Sequence, residues 1–168
     1  MSLGKERKTT QKGFNRQKRR RNRVRRPQPS SRATYADLLT IGALYTQQVP
    51  IFGPTHDVTL TSALNLSNAL INNGNCTAAT SFLRDRIPEA RSTYAKNHEM
   101  TLRFQDNYAL SLFKNSDASR DDLVAAVAEY ERLDRVARRV LGPDHDVTRE
   151  FRGNMEAACA KLEAHATA

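Results

Sequence analysis

From Tyr35 onward apolar residues return at three- and four-residue spacing, and short polar turns interrupt the pattern at intervals. Leu38, Leu39, Ile41 and Leu44 predict a helix over Tyr35 to Tyr45. Leu60, Leu64, Ser67 and Ile71 form the stripe of a second helix, ended by Asn73-Gly74-Asn75. Leu102, Ala109, Leu112 and Phe113 do the same in another, ended by Asn115-Ser116-Asp117. Two further helices are expected over residues 76 to 95 and 120 to 141, and a last one from Asp146 to about Ala164. Pro88 should bend or interrupt the earlier of that pair, because proline lacks the amide hydrogen and clashes with the preceding turn. The expectation is six helices and no strand.

The elements repeat. His56-Asp57-Val58-Thr59 returns as His98-Glu99-Met100-Thr101 and as His145-Asp146-Val147-Thr148, at spacings of 42 and 47 residues. An asparagine stands nine residues after each histidine, at Asn65, Asn107 and Asn154, and a large apolar residue stands four before, at Phe52, Tyr94 and Leu141. Second-half positions match as well: Ala79 with Ala126, Leu83 with Tyr130, and Ala90 with Ala137. Thr55, Asn97 and Asp144 are expected N-caps, and the acids two places on suit the positive end of a helix. The histidines are too far apart, one per unit, to share a metal, and are expected to serve locally at the turns.

Gly53-Pro54-Thr55-His56, Gly142-Pro143-Asp144-His145, Asn65-Leu66-Ser67-Asn68-Ala69-Leu70 and Asn107-Tyr108-Ala109-Leu110-Ser111-Leu112 resemble the tetratricopeptide repeats, in the 42-residue form of kinesin light chain. The resemblance covers about residues 35 to 165 and implies an all-α fold: a short right-handed α-solenoid of antiparallel helix pairs. It implies that Ser67, Ala109, Ala79 and Ala126 sit where helices approach closely. The third copy departs from it, carrying Glu156 where the small residue belongs and no second helix. The family uses such solenoids as protein-protein interaction scaffolds, and the resemblance implies a non-enzymatic role with no cofactor.

That likeness also points to a site. The first helices of such repeats line a concave groove, where Asn65, Asn107 and Asn154 would hold the backbone or terminal carboxylate of a peptide, since an amide both donates and accepts. Arg103 four residues earlier, and Asn72, Lys114 and Lys161 seven residues later, share that face and would favour an acidic ligand. Equally, the asparagines could bond neighbouring helices and fix the stacking of the repeats. Neither a nucleophile elbow, a phosphate-binding glycine loop nor a metal-spaced cluster appears, so neither an enzyme nor a small-molecule substrate is indicated.

Charge divides the chain in two. Residues 1–33 hold 13 basic residues and one acid, whereas 34–168 hold 14 basic and 17 acidic, so the formal +9 is the sum of a basic arm and a body of −3. Lys18, Arg19, Arg20, Arg21, Arg23, Arg25 and Arg26 are too charged to bury surface, and the arm is expected to be disordered ahead of a repeat domain at 34–168. Such a cluster suits RNA or DNA phosphates or an import receptor; a solubilising tail, a degenerate targeting peptide or a wrongly included upstream stretch are the plain alternatives. Two isolated cysteines and no long apolar run point to a reduced, cytoplasmic protein, nuclear if the arm is an import signal, without a membrane partner.

Overall fold

The computed structural model describes residues 35–166, and among them it is all-helical, with six helices and no strand. In chain order these are α1 (Tyr35–Phe52), α2 (Asp57–Asn72), α3 (Cys76–Tyr94), α4 (Glu99–Lys114), α5 (Arg120–Val140) and α6 (Asp146–Ala166). Each helix packs on the next in sequence, and α4 also touches α2 and α6. Consequently α4 is covered on most sides, and even Gln105, Asp106, Asn107 and Ser111 are buried there.

The repeated positions of the sequence are the contact points. Ser67, Ala109, Ala79 and Ala126 are inaccessible to solvent, as are Leu83, Tyr130, Ala90 and Ala137. One apolar cluster joins α2 and α3 and takes Phe104 from α4; the other joins α5 and α6 with Leu102, Ala109, Leu112 and Phe113 of the same helix. Thus α4 contributes opposite faces to two cores. The exception among the repeated positions is Glu156, which is exposed on α6.

The turns correct one expectation. The N-caps of α2 and α4 are His56 and His98, one residue beyond Thr55 and Asn97, and His145 makes the same bond in place of Asp144. Each imidazole accepts through Nδ1 from the amide two residues on, from Val58 at 3.3 Å, Met100 at 3.2 Å and Val147 at 3.3 Å, satisfying a donor that the helix itself leaves open. The apolar residue four places earlier is its platform: His56 stacks on Phe52 with ring centroids 5.1 Å apart, and His98 on Tyr94 at 5.0 Å. The Tyr94 hydroxyl also donates to the Asp57 carboxylate, tying the second junction to α2. Behind His98 and His145 a buried threonine closes the turn, Thr101 donating to the Ala95 carbonyl at 2.7 Å and Thr148 to that of Gly142 at 2.8 Å, whereas the buried hydroxyl of Thr59, behind His56, makes no hydrogen bond.

Those carbonyls belong to residues of positive φ. Gly53 has φ +87° and Gly142 φ +98°, but the middle junction places Ala95 at φ 70° and ψ 162°, a corner of conformational space kept almost wholly for glycine. Ala95→Gly should therefore stabilise the protein by about 1 kcal/mol, the relief of strain less the extra freedom glycine gives the unfolded chain. A urea titration measures it, and an unchanged midpoint would mean that the alanine is unstrained.

Helix ends differ from expectation in two more places. α1 continues to Phe52 instead of stopping near Tyr45, with Pro50 only two residues from its end. α3 runs unbroken from Cys76 to Tyr94 through Pro88, so the proline does not interrupt it. Burial of Leu83 and Ala90 on either side of Pro88 holds both halves against α4, which offsets the hydrogen bond that proline cannot make.

Candidate functional site

The seven groove residues separate into an exposed pair on α2, four internally bonded residues and the exposed Lys114. Asn65 and Asn72 lie together on α2, and with Ser62, Asn68 and Ala69 of α2 and Ile41 and Leu44 of α1 they line an open cavity of about 290 Å³. Spacings of three and four residues put Asn65, Asn68 and Asn72 on one strip, so three amides edge a pocket whose opposite wall is aliphatic.

The repeat explains why this cavity is there. Six residues after the turn histidine, α4 has Phe104 and α6 has Phe151, both without solvent exposure, and Phe104 belongs to the cluster of the helix pair before it. The corresponding residue of α2 is Ser62. Where later units seat a phenyl ring against the preceding helix, this one offers a hydroxymethyl group, and the space against α1 stays open.

Four of the other five residues are engaged by the protein itself. Asn107 is 4% exposed, and its Nδ2 donates to Ser67 Oγ at 2.8 Å, joining α4 to α2. Asn154 donates from Nδ2 to Asp106 Oδ1 at 3.0 Å, joining α6 to α4. Arg103 lies 3.0 Å from Glu99 through Nε and 3.8 Å from Glu150 through Nη1. Lys161 donates to the carbonyls of Phe113 at 2.7 Å and Asn115 at 2.8 Å, placing a cation on the negative end of α4. Lys114 is exposed beside that end. Of the three matched asparagines, then, two make bonds between units, and Asn65 alone stands open at the surface.

Periodicity alone gave no sign of Asp106. It occupies the column filled by Leu64 in the first unit, and a carboxylate in an apolar column is the signal that could have found it. It is 5% exposed, with the Tyr130 hydroxyl donating to its own main-chain carbonyl at 3.3 Å. Burial pushes its carboxyl up to about 6; the nearby Glu150 carboxylate adds to the rise, while the Asn154 amide, Tyr130 and Arg103 partly oppose it. The same burial, with Asp106 beside it, carries the Tyr130 phenol far upward. Nearby, Arg132 bridges Gln105 Oε1 at 2.8 Å and Glu129 at 2.9 Å. These groups form polar bridges between α4 and its neighbours, with Asp106, Gln105 and Tyr130 buried and Arg132 and Glu129 partly exposed.

The cluster from Lys18 to Arg26 lies outside the described residues. Among the described residues no helix is long and apolar enough to cross a membrane. No family model matches the chain, nor does any curated protein or any solved structure.

Proposed function

We propose that this chain is a non-enzymatic interaction scaffold, a short tetratricopeptide-like solenoid of the kinesin light chain kind that binds an extended peptide in a groove beginning at the cavity between α1 and α2. The carrying observation is that cavity: three asparagine amides and the Ser62 hydroxyl face two aliphatic side chains across about 290 Å³. Amides spaced along one strip can pair with successive peptide groups, and Ile41 and Leu44 can receive an apolar side chain. Packing of α2, α4 and α6 on one another supports a shared inner layer, with α1, α3 and α5 outside it. Lys114, exposed on the same helical face, gives the ligand's acidic end a counter-charge.

Ser62→Phe is the direct test, because it restores the ring that the other units carry and fills the cavity. Peptides selected from a random 12-residue display library on the full chain should lose at least tenfold in affinity for this variant, while its melting temperature holds or rises. Asn65→Ala should cost about tenfold, or about 1.4 kcal/mol, the scale of one buried hydrogen bond. Equal binding by Ser62→Phe would remove the cavity from the ligand's path.

The 13 basic residues of 1–33 favour a second role, RNA-associated binding by the arm with the helical body as docking module. Affinity for a polyanion such as heparin or poly(U) should then fall steeply with salt and vanish when Arg19, Arg20, Arg21, Arg25 and Arg26 become serine, because each neutralised phosphate releases counterions. Salt-insensitive binding measured by fluorescence anisotropy would count against it.

A further inference from the structure

The wall of the cavity between α1 and α2 is built for a ring that this unit does not carry. Counting back from each turn histidine, Ile41 stands where α3 has Leu83 and α5 has Tyr130, and Leu44 stands where α3 has Arg86 and α5 has Leu133. Leu83 shares its apolar cluster with Phe104, and Tyr130 and Leu133 share theirs with Phe151. These apolar side chains are wholly buried. With Ser62 in the column of the two rings, Leu44 stays 49% exposed at the cavity, whereas Leu133 in the same position is 0% exposed. α1 thus keeps the apolar partners of the phenyl column, and α2 lacks the phenyl.

The rim differs from the later units in charge. Asn72 occupies the column of Lys114 and Lys161, and Asn68 that of Leu110 and Ala157, so that no ionisable side chain lines the cavity. An ionised ligand group would lose water there without gaining a counter-charge. Asn65 is placed as Asn107 and Asn154 are, and those two give a hydrogen from Nδ2 to an oxygen on the first helix of the unit before, Ser67 Oγ and Asp106 Oδ1. Among the described residues no such helix precedes α1, and the Asn65 donor is open to an oxygen supplied from outside.

We propose that this cavity takes a phenylalanine side chain of the bound peptide. The ring stands against Ile41 and Leu44, in the column that Phe104 and Phe151 fill in the later units, and a main-chain carbonyl of the ligand accepts from Asn65. An aromatic side chain buries about 150 to 250 Å², the largest apolar contribution one residue of a ligand can make, and it covers the exposed part of Leu44. The residues flanking this anchor are uncharged, and an acidic group of the ligand belongs further along, at Lys114 of α4.

N-acetyl-phenylalaninamide titrated into the full chain is the probe, with the methyl resonances of Ile41 and Leu44 as the readout. Both should move upfield, because protons above an aromatic face are shielded. Half-saturation should come at a concentration about threefold lower than for N-acetyl-leucinamide, and at least about tenfold lower than for the aspartate and lysine analogues. In Ser62→Phe the same methyls should stand upfield from the start and no longer respond, since the ring is then supplied by the chain itself. Leucinamide matching phenylalaninamide, shifts confined to other residues, or an undiminished response in Ser62→Phe would each overturn the assignment. The aromatic anchor rests on the peptide groove proposed above, yet the two fail separately. Selected peptides that bind Ser62→Phe as tightly as the wild type defeat the groove; peptides that lose affinity for Ser62→Phe but tolerate leucine in place of every aromatic residue defeat the anchor alone.

Discussion

Asp106→Asn should make the protein more stable by about 2 to 3 kcal/mol at pH 8 and leave it unchanged at pH 3.5. Burial raises the Asp106 carboxyl from its ordinary 3.8 to about 6, which corresponds to about 3 kcal/mol between the charged and neutral forms. Below pH 4 the carboxyl is protonated in folded and unfolded chains alike, and stability is at its full value. Between pH 4 and 6 the folded form keeps a proton that the unfolded form has released, so stability falls as pH rises. Above about 6 both forms are ionised and the loss is complete. An asparagine can still accept from Asn154 Nδ2 through its oxygen, and its amide hydrogens turn the repulsion from Glu150 into attraction. Urea titrations of both proteins at half-unit pH intervals check this: the wild-type curve should step downward over that window and the variant's should lack the step. A variant less stable at every pH would show that Arg103 holds the carboxylate in its charged form.

Asn107→Ala should lower stability by about 2 kcal/mol, because it leaves the buried Ser67 hydroxyl without the donor 2.8 Å away and opens a small void at the junction of α2 and α4. Two roles for this residue make opposite forecasts. An asparagine that only fixes stacking will, when removed, lower the melting temperature and leave affinity per folded molecule intact; one that holds a ligand will weaken binding beyond the loss of folded protein. With its donor committed to Ser67, the first outcome is expected, and Asn65→Ala should behave as its reverse. Thermal melting and calorimetry on the two variants, with one selected peptide, separate them.

Much of the fold was legible because it is written as repetition. Histidine, threonine and the small residues recur at fixed distances, and every small position so marked proved to be buried. Locating the N-caps failed by one residue because the preferred caps are short oxygen-bearing side chains, and Thr55, Asn97 and Asp144 stand beside histidines that supply a ring nitrogen instead. The site was less legible. Lys161 reaches carbonyls 46 and 48 residues away, and Asn154 reaches a carboxylate 48 away; a helical face lists which side chains share a direction but not which will be met there by another helix. Ser62 went unnoticed for the opposite reason, since a small polar residue in a helix carries meaning only once its counterparts are known to be buried phenylalanines.

The junctions also bear on how an array of this kind grows. Each one is closed largely from within: the imidazole bonds the amide two residues on at all three, the ring stacks on the side chain four before at the first two, and the threonine bonds the carbonyl six before at the last two. A segment duplicated or deleted in phase would carry a finished corner with it, and its neighbours would meet the same small residues as before. The 47-residue unit displays this tolerance: the turn before α5 has five residues where that before α3 has three, α5 has 21 residues where α3 has 19, and the histidine N-cap bond still forms at its end. Length, in such a chain, is a variable that descent can alter without having to reinvent the joints.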